Sequence, residues 1–211
     1  MIGSSRKVRA IEREFDDLRL RLTAAESSAE YRNDALVYIL TARTRGEGVS
    51  TVCAGLARSF ARSGAADVLL LDANGQPSHA KAGGPPSRAS EAPNGLAEDL
   101  DAAIRFRQDW GVHFLPLLAD GRRPPSGGQW EDYVSGLRAR YDVIVVDAGA
   151  LDGRAPYEWS EKANHVLLVV DSNRTGVLAL ERLRKDLEVA KMTITGIVLN
   201  KREYPVPELF Y

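Results

Sequence analysis

Short apolar runs of strand length recur along this chain, at 35–41, 67–71, 112–117, 141–147, 165–170 and 194–200. A strand with one wet face alternates apolar and polar residues, whereas a strand covered on both faces reads as nearly unbroken Val, Ile and Leu. The stretches from Val68 to Leu71 and from Val143 to Val146 are of the second kind. Between the runs, apolar residues return at helical spacing: Val52, Leu56 and Phe60, then Trp130, Tyr133, Val134 and Leu137, then Leu180, Leu183 and Leu187. Buried strands alternating with helices predict an α/β fold, a doubly wound parallel sheet with helices on both faces. A length of 211 residues suits one such domain and is short for two.

Ahead of the first strand, Val8, Ile11, Phe15, Leu18 and Leu22 line one face of an amphipathic helix. Residues 1–33 are therefore expected to form a helix and linker, and 34–211 the globular domain. The helix either packs on its own domain or serves an inter-subunit contact. Gly, Pro, Ser, Ala and Asn dominate 73–95, which predicts a flexible surface loop. A short helix is expected over 96–104, and a second Pro/Gly stretch spans 121–128. The tail, 201–211, carries Pro205 and Pro207 and cannot form a long amphipathic helix.

Lys and Arg number 28 against 29 Asp and Glu, so no broad basic surface invites nucleic acid. The single cysteine, Cys53, excludes an internal disulfide, and its apolar neighbours Val52 and Ala54 mark a buried thiol rather than a reactive one. No run approaches the roughly 20 apolar residues that span a bilayer, and no apolar segment follows the basic N-terminus as in a secretory signal. The expected location is the cytoplasm, with membrane contact only through a partner. His79, His113 and His165 lack ligand spacing.

The chemistry concentrates between the first strand and the helix after it, in Arg43-Thr-Arg-Gly-Glu-Gly-Val-Ser-Thr51. A phosphate-binding loop of this kind needs main-chain N–H groups in a Gly-rich turn, a helix N-terminus behind them, and a Lys reaching the β- and γ-phosphates. Gly46 and Gly48 supply the turn, and Ser50 stands where a hydroxyl would ligate Mg²⁺. The leading Gly of the consensus has its counterpart at Arg43, and the Lys has its counterpart at Val49. Downstream, Asp72 and Asp147 each follow an apolar strand. In an open α/β sheet the ligand crevice lies off the carboxyl ends of the strands, which puts both carboxylates opposite the loop as metal-holding candidates. Alternatively, each only caps the turn that follows it.

Val49 decides what such a site can do. Loss of one partner of a tight, partly buried charge contact costs about 2–5 kcal/mol, or roughly 30-fold to several thousandfold in affinity or rate. Phosphoryl transfer also loses charge stabilisation of its transition state. Val49, Val52, Cys53, Leu56 and Phe60 form one apolar stripe, so the position is recruited to packing. Arg43 and Arg45, within the loop, offer an alternative source of charge.

With these segments in hand, the chain resembles bacterial tyrosine kinase cytoplasmic domains, whose P-loop fold is related to the MinD/ParA ATPases. Where that family reads Pro-Gly-Glu-Gly-Lys-Ser-Thr, this chain has Arg45-Gly-Glu-Gly-Val-Ser-Thr51. Where it reads Leu-Leu-Ile-Asp-Ala-Asp and then Arg, this chain has Leu69-Leu-Leu-Asp-Ala-Asn74 and then Gly75. The Asp-Thr-Pro-Pro motif appears as Asp147-Ala-Gly-Ala150, and Asn200 stands where a residue contacts the adenine base. The tail keeps Tyr204 and Tyr211 without a tyrosine cluster, and the Glu-x-x-Arg-x-x-Arg assembly pattern of the N-terminal helix is replaced by Arg13, Asp16 and Arg19, with the first two charges exchanged.

The resemblance implies remnants of catalytic carboxylates at Asp72 and Asp147. It implies a remnant nucleotide site at Arg45, Gly46, Glu47, Gly48, Val49, Ser50, Thr51 and Asn200, with Ser50, Asp72 and Asp147 as Mg²⁺ ligands. No cofactor is firmly implied; weak ATP or ADP binding with Mg²⁺ is what the surviving elements allow. The implied role is that of a pseudokinase regulating or scaffolding exopolysaccharide or capsule export, with a membrane co-polymerase as partner and a homo-oligomer as a further possibility. The alternatives are an active tyrosine autokinase with an atypical loop, and a MinD/ParA-like positioning protein.

Overall fold

The computed structural model describes residues 2–24, 34–64, 67–74, 101–117 and 128–202. Most of the expected loop at 73–95, most of the expected helix at 96–104, most of the Pro/Gly stretch at 121–128, and the tail with Tyr204 and Tyr211 lie outside the described residues.

Strands β1 (Leu36–Ala42), β2 (Val68–Asp72), β3 (Arg105–Arg107), β4 (Val112–Pro116), β5 (Val143–Ala150), β6 (His165–Asp171) and β7 (Gly196–Asn200) form one seven-stranded sheet in the order β3-β4-β2-β5-β1-β6-β7. All neighbours pair in parallel except β3 with β4. The unbroken apolar strands are covered on both faces, as their composition demands. Tyr38, Leu40, Leu70, Val145 and Leu167 turn toward helix α2 (Val49–Arg62). Val37, Ile39, Leu71, Ile144 and Val146 turn toward the other face, where Tyr133, Val134 and Leu137 of helix α3 (Gly128–Arg140) and Trp159 of helix α4 (Ala155–Ser160) close the core. Helix α5 (Val177–Val189) packs Leu183 and Leu187 on Val166, Leu168 and Val170 of β6.

Helix α1 (Ile2–Ala24) lies on α2, burying Leu22 and half-burying Phe15 and Leu18. The helices approach so closely at Gly55 that a β-carbon there would collide with the Phe15 ring. Ile11, placed in the same stripe from its spacing, is instead 54% exposed. Two of the three charges at the assembly positions, Asp16 and Arg19, are used within the chain. Ser59 donates to Asp16 at 2.5 Å, Arg62 reaches Asp16 at 2.9 Å, and Arg19 Nε donates to Ser59 at 3.2 Å. The Ser59 hydroxyl, with Arg62 and Arg19, holds the Asp16 carboxyl below its ordinary range.

Three features depart from the expectation. Arg105–Arg107 form the antiparallel edge strand β3, which is too short and too charged to read as a strand. Ala155–Ser160 form α4; only Pro156 at its first turn signals it, since Pro fits where an N–H would be unpaired anyway. Finally, β5 does not stop at Asp147 but runs on to Ala150. Leu40 pairs with Asp147 and Ala42 with Ala150, so β5 carries one residue more than β1 across this step. Gly149, at φ 70°, sits within that irregularity.

Candidate functional site: a phosphate-loop cleft without its lysine

The loop between β1 and α2 sits at the carboxyl end of the sheet, beside β5 and β6. Gly46 (φ 86°) and Gly48 (φ 98°) adopt the left-handed conformation that favours glycine, and Gly48 caps α2. A β-carbon at Gly48 would collide with the Asn200 amide. The loop borders a cleft of about 230 Å³ whose walls include Gly46, Gly48, Val49, Ser50, Asn74 and Gly149. That is below the roughly 300–1,000 Å³ of ordinary small-molecule sites and suits a phosphate-sized group.

Ser50, Asp72 and Asp147 come together as expected. Ser50 Oγ donates to Asp147 Oδ2 at 2.5 Å, and Asp147 stands directly across from Asp72 in the β2–β5 register. Both carboxylates are buried. The capping reading holds as well: Asn74 N–H donates to Asp72 Oδ1 at 2.9 Å, and Gly149 N–H to Asp147 Oδ1 at 3.1 Å. Each aspartate thus closes its own turn with one oxygen, while the second oxygen of Asp147 holds the Ser50 hydroxyl. A hydroxyl and two carboxylates are hard oxygen donors that fit Mg²⁺. Ser50, Asp147 and Asp72 are the residues that would hold it, and the ion would supply positive charge against phosphate oxygens.

Where the lysine would stand, Val49 is 8% exposed and joins Val52, Cys53, Leu56 and Phe60 in the core. Burial, then the charges of Asp147 and Asp72, push the Cys53 thiol well above its ordinary range, so it is inert packing. Arg45 also lines the cleft, exposed and with its Nε 3.4 Å from exposed Asp152. Arg43 is exposed as well. Thr51 points out of α2 to solvent.

Glu47 is buried, and its side chain faces away from the cleft. Its Oε1 accepts from Thr44 N–H at 2.9 Å and Thr44 Oγ1 at 2.8 Å, and its Oε2 accepts from Asp171 N–H at 3.1 Å. Asn200 Nδ2 donates to Glu47 O at 2.8 Å. Its amide therefore clasps the loop. Sequence reasoning missed Lys201 and Asp171. Lys201 Nζ donates to Gly46 O at 2.6 Å and to buried Asp171 Oδ2 at 2.9 Å. The Lys201 contact, joined by Asn173 N–H, holds the Asp171 carboxyl below its usual range. The available signal was the same one that found Asp72: Asp171 ends the apolar strand β6.

Asn74, at the position of the second carboxylate, packs against Gly149; a β-carbon on Gly149 would collide with its side chain. The site therefore offers a main-chain nest, a hydroxyl and carboxylates, with the loop's own lysine position filled by a core residue.

No family model and no curated protein matches the chain. Solved structures do match. The VpsO kinase domain superposes with a TM-score of 0.68 at 21% identity, covering 94% of this chain and 98% of that one. The kinase domain of Escherichia coli tyrosine kinase ETK gives 0.63 at 21%, covering 90% and 76%. The septum site-determining protein MinD from Pyrococcus horikoshii, complexed with Mg-ADP, gives 0.55 at 19%, covering 83% and 75%. With its strand order and its loop between β1 and α2, this chain has the fold that bacterial tyrosine kinase domains share with MinD-type P-loop proteins.

Proposed function

We propose that the chain is a catalytically inactive relative of the bacterial tyrosine kinases, a binding platform that regulates or scaffolds exopolysaccharide or capsule export at the inner membrane. The observation that carries this reading is the burial of Val49 in the α2 core, where a kinase needs a cation. Phosphoryl transfer depends on charge neutralisation around the transferred group. Of the cations near the loop, Lys201 is held behind it by Asp171. Arg45 at the cleft and Arg174 beside Gly46 are exposed side chains that do not take the place of a lysine at position 49. Asn74 in place of a second carboxylate and the Asp147-Ala-Gly-Ala150 segment support the same reading.

The remnant catalytic pair is Asp72 and Asp147, and the remnant nucleotide loop runs from Arg45 to Thr51 with Asn200 beside it. ATP or ADP with Mg²⁺ would bind weakly through the main-chain nest, Ser50 and the two aspartates. The proposed partner is the cytoplasmic part of a polysaccharide co-polymerase, engaged through α1 and the segment after Asn200; among the described residues no helix is long and apolar enough to cross a membrane. The test is self-phosphorylation with labelled ATP, alongside titration calorimetry with MgATP. No incorporation and weak or absent heat are expected. Label incorporation that disappears in Asp72→Ala overturns the proposal.

A further inference from the structure

Asn74 is the one side-chain amide among the residues bordering the cleft, and Gly75 follows it in the chain. Asparagine is a thermolabile residue, and a following glycine makes it most so. The main-chain nitrogen of the next residue attacks the amide carbon, and glycine has no β-carbon to shield that nitrogen. Strand β2 ends at Asp72, and Ala73 N–H still bonds across the sheet to Asp147 O at 3.0 Å. Asn74 N–H donates instead to Asp72 Oδ1 at 2.9 Å, an Asx turn outside the ladder. Asn74 is half-buried, and its side chain lies against Gly149, whose N–H is held by Asp147 Oδ1 at 3.1 Å. The amide therefore stands outside the sheet, open to the water of the cleft, and close to both buried carboxylates.

We propose that Asn74-Gly75 is a self-modification site, which turns a neutral wall of the cleft into a carboxylate and so tightens its hold on a divalent cation. Solvent base removes the Gly75 N–H proton, and the nitrogen bonds to Asn74 Cγ. The Cγ–Nδ2 bond breaks, and the amide nitrogen takes a proton from water and leaves as ammonia, giving a cyclic imide. A water molecule then opens the ring. Cleavage at the Cγ–N bond restores the main chain with an Asp at this position, and cleavage at the main-chain carbonyl leaves an isoaspartyl link. Either product carries one new negative charge, and nothing is oxidised or reduced. The added charge joins Asp72 and Asp147 at one small cleft. The affinity of an oxygen-donor site for a divalent metal rises with its count of charged ligands. This second half of the proposal rests on reading Ser50, Asp72 and Asp147 as the Mg²⁺ donors; the modification itself does not.

The first experiment holds the folded protein at mildly alkaline pH over days and follows its tryptic peptides by mass spectrometry. Trypsin cuts after Arg62 and Lys81, and Asn74 is the one asparagine between those sites. The mass of this peptide should rise by the exchange of NH₂ for OH, faster at higher pH. Gly75→Val should slow the rise several-fold while leaving Asn74 in place. A peptide that stays unchanged in the folded protein while a urea-unfolded sample converts overturns the proposal, as does conversion indifferent to Gly75→Val. The second experiment separates the aged, more acidic protein by anion exchange and titrates it with Mn²⁺ beside the parent and Asn74→Asp. Binding tighter than the parent's by about tenfold or more is expected of both. Equal Mn²⁺ affinity in the parent and Asn74→Asp overturns the cation half, and no binding by either also removes Ser50, Asp72 and Asp147 as donors. Self-phosphorylation by the parent would instead strike the reading of the protein as inactive, and it leaves the mass and Mn²⁺ results standing.

Discussion

Replacing Val49 by lysine separates a lost charge from a lost pocket. Val49 is 8% exposed and packed in the cluster with Val52, Cys53 and Leu56. Withdrawing a valine side chain from a core costs about 1.5 kcal/mol or somewhat more. A lysine recovers part of this, because its methylene stem can stay in the core while the ammonium reaches the cleft that Val49 already borders. The net loss is roughly 1–2 kcal/mol, and each kcal/mol lowers the melting temperature of a domain of this size by about 2–4 °C. On the ligand side, a restored phosphate contact of about 2–5 kcal/mol raises MgATP affinity roughly 30-fold to several thousandfold. Nucleotide at about 100 times Kd then adds roughly 2.7 kcal/mol of stability. Thermal melting with and without millimolar MgATP should show Val49→Lys melting below the parent without nucleotide and recovering with it, while the parent hardly moves. An equal MgATP shift in the parent would refute the argument that position 49 limits binding. A folded Val49→Lys protein with no shift would refute the claim that the loop still frames a phosphate site.

Other consequences follow from particular contacts. Gly55→Ala drives a methyl group into the Phe15 ring and should cost about 1–3 kcal/mol in denaturant unfolding, much of it recovered when Phe15 is also shortened to Leu. Glu47→Ala strips the acceptor from the Thr44 and Asp171 N–H groups. Stability should fall by about 1–3 kcal/mol, and exchange of those two amides should accelerate. His113 is held below its ordinary pKa by burial, opposed by the charge of Asp67. The unfolded chain therefore takes up the proton first as pH falls below about 6.5, so stability declines from there down through the folded value. Melting between pH 7 and 5 should show this decline, and His113→Phe, which keeps the aromatic contacts with Phe106 and Tyr141, should flatten it.

The central strands and the loop were legible because their signals are local. A buried parallel strand announces itself by composition, and a Gly-rich turn between such a strand and a helix has few other uses. The packing of Val49 was legible because the stripe from Val49 to Phe60 keeps helical spacing. What sequence could not provide was direction. Glu47 looked like a loop residue facing ligand, yet its side chain turns inward to Thr44 and Asp171, because the loop's tight curvature points successive residues to opposite sides. Arg45 lines the cleft, yet its neighbour there, exposed Asp152, comes from a turn more than a hundred residues later. Lys201 and Asp171 lie 30 residues apart in sequence and meet only because β6 and β7 pair in register at Asp171 and Asn200. Edge strand β3 escaped notice because Arg105–Arg107 has one apolar residue between two cations, a pattern whose strand character comes from its neighbour β4.

These directions bear on how a phosphate loop survives without its usual cation. A Gly-rich turn with converging N–H groups is intrinsically permissive, and left-handed glycines lose much conformational freedom when ordered. In a nucleotide-dependent protein the ligand itself helps fix such a loop. Here protein groups fix it from behind: Glu47 ties the turn to Thr44 and Asp171, Asn200 clasps Glu47 O, and Lys201 grips Gly46 O while neutralising Asp171. These contacts need no nucleotide. Because the strap originates on β7, cutting it should loosen the loop without disturbing the α2 core. Lys201→Met is therefore expected to speed amide exchange at Gly46 to Gly48 while leaving exchange in the body of α2 unchanged. If exchange at the loop does not change in Lys201→Met, the loop is fixed by Glu47 and Asn200 alone, and the strap from β7 has no part in it.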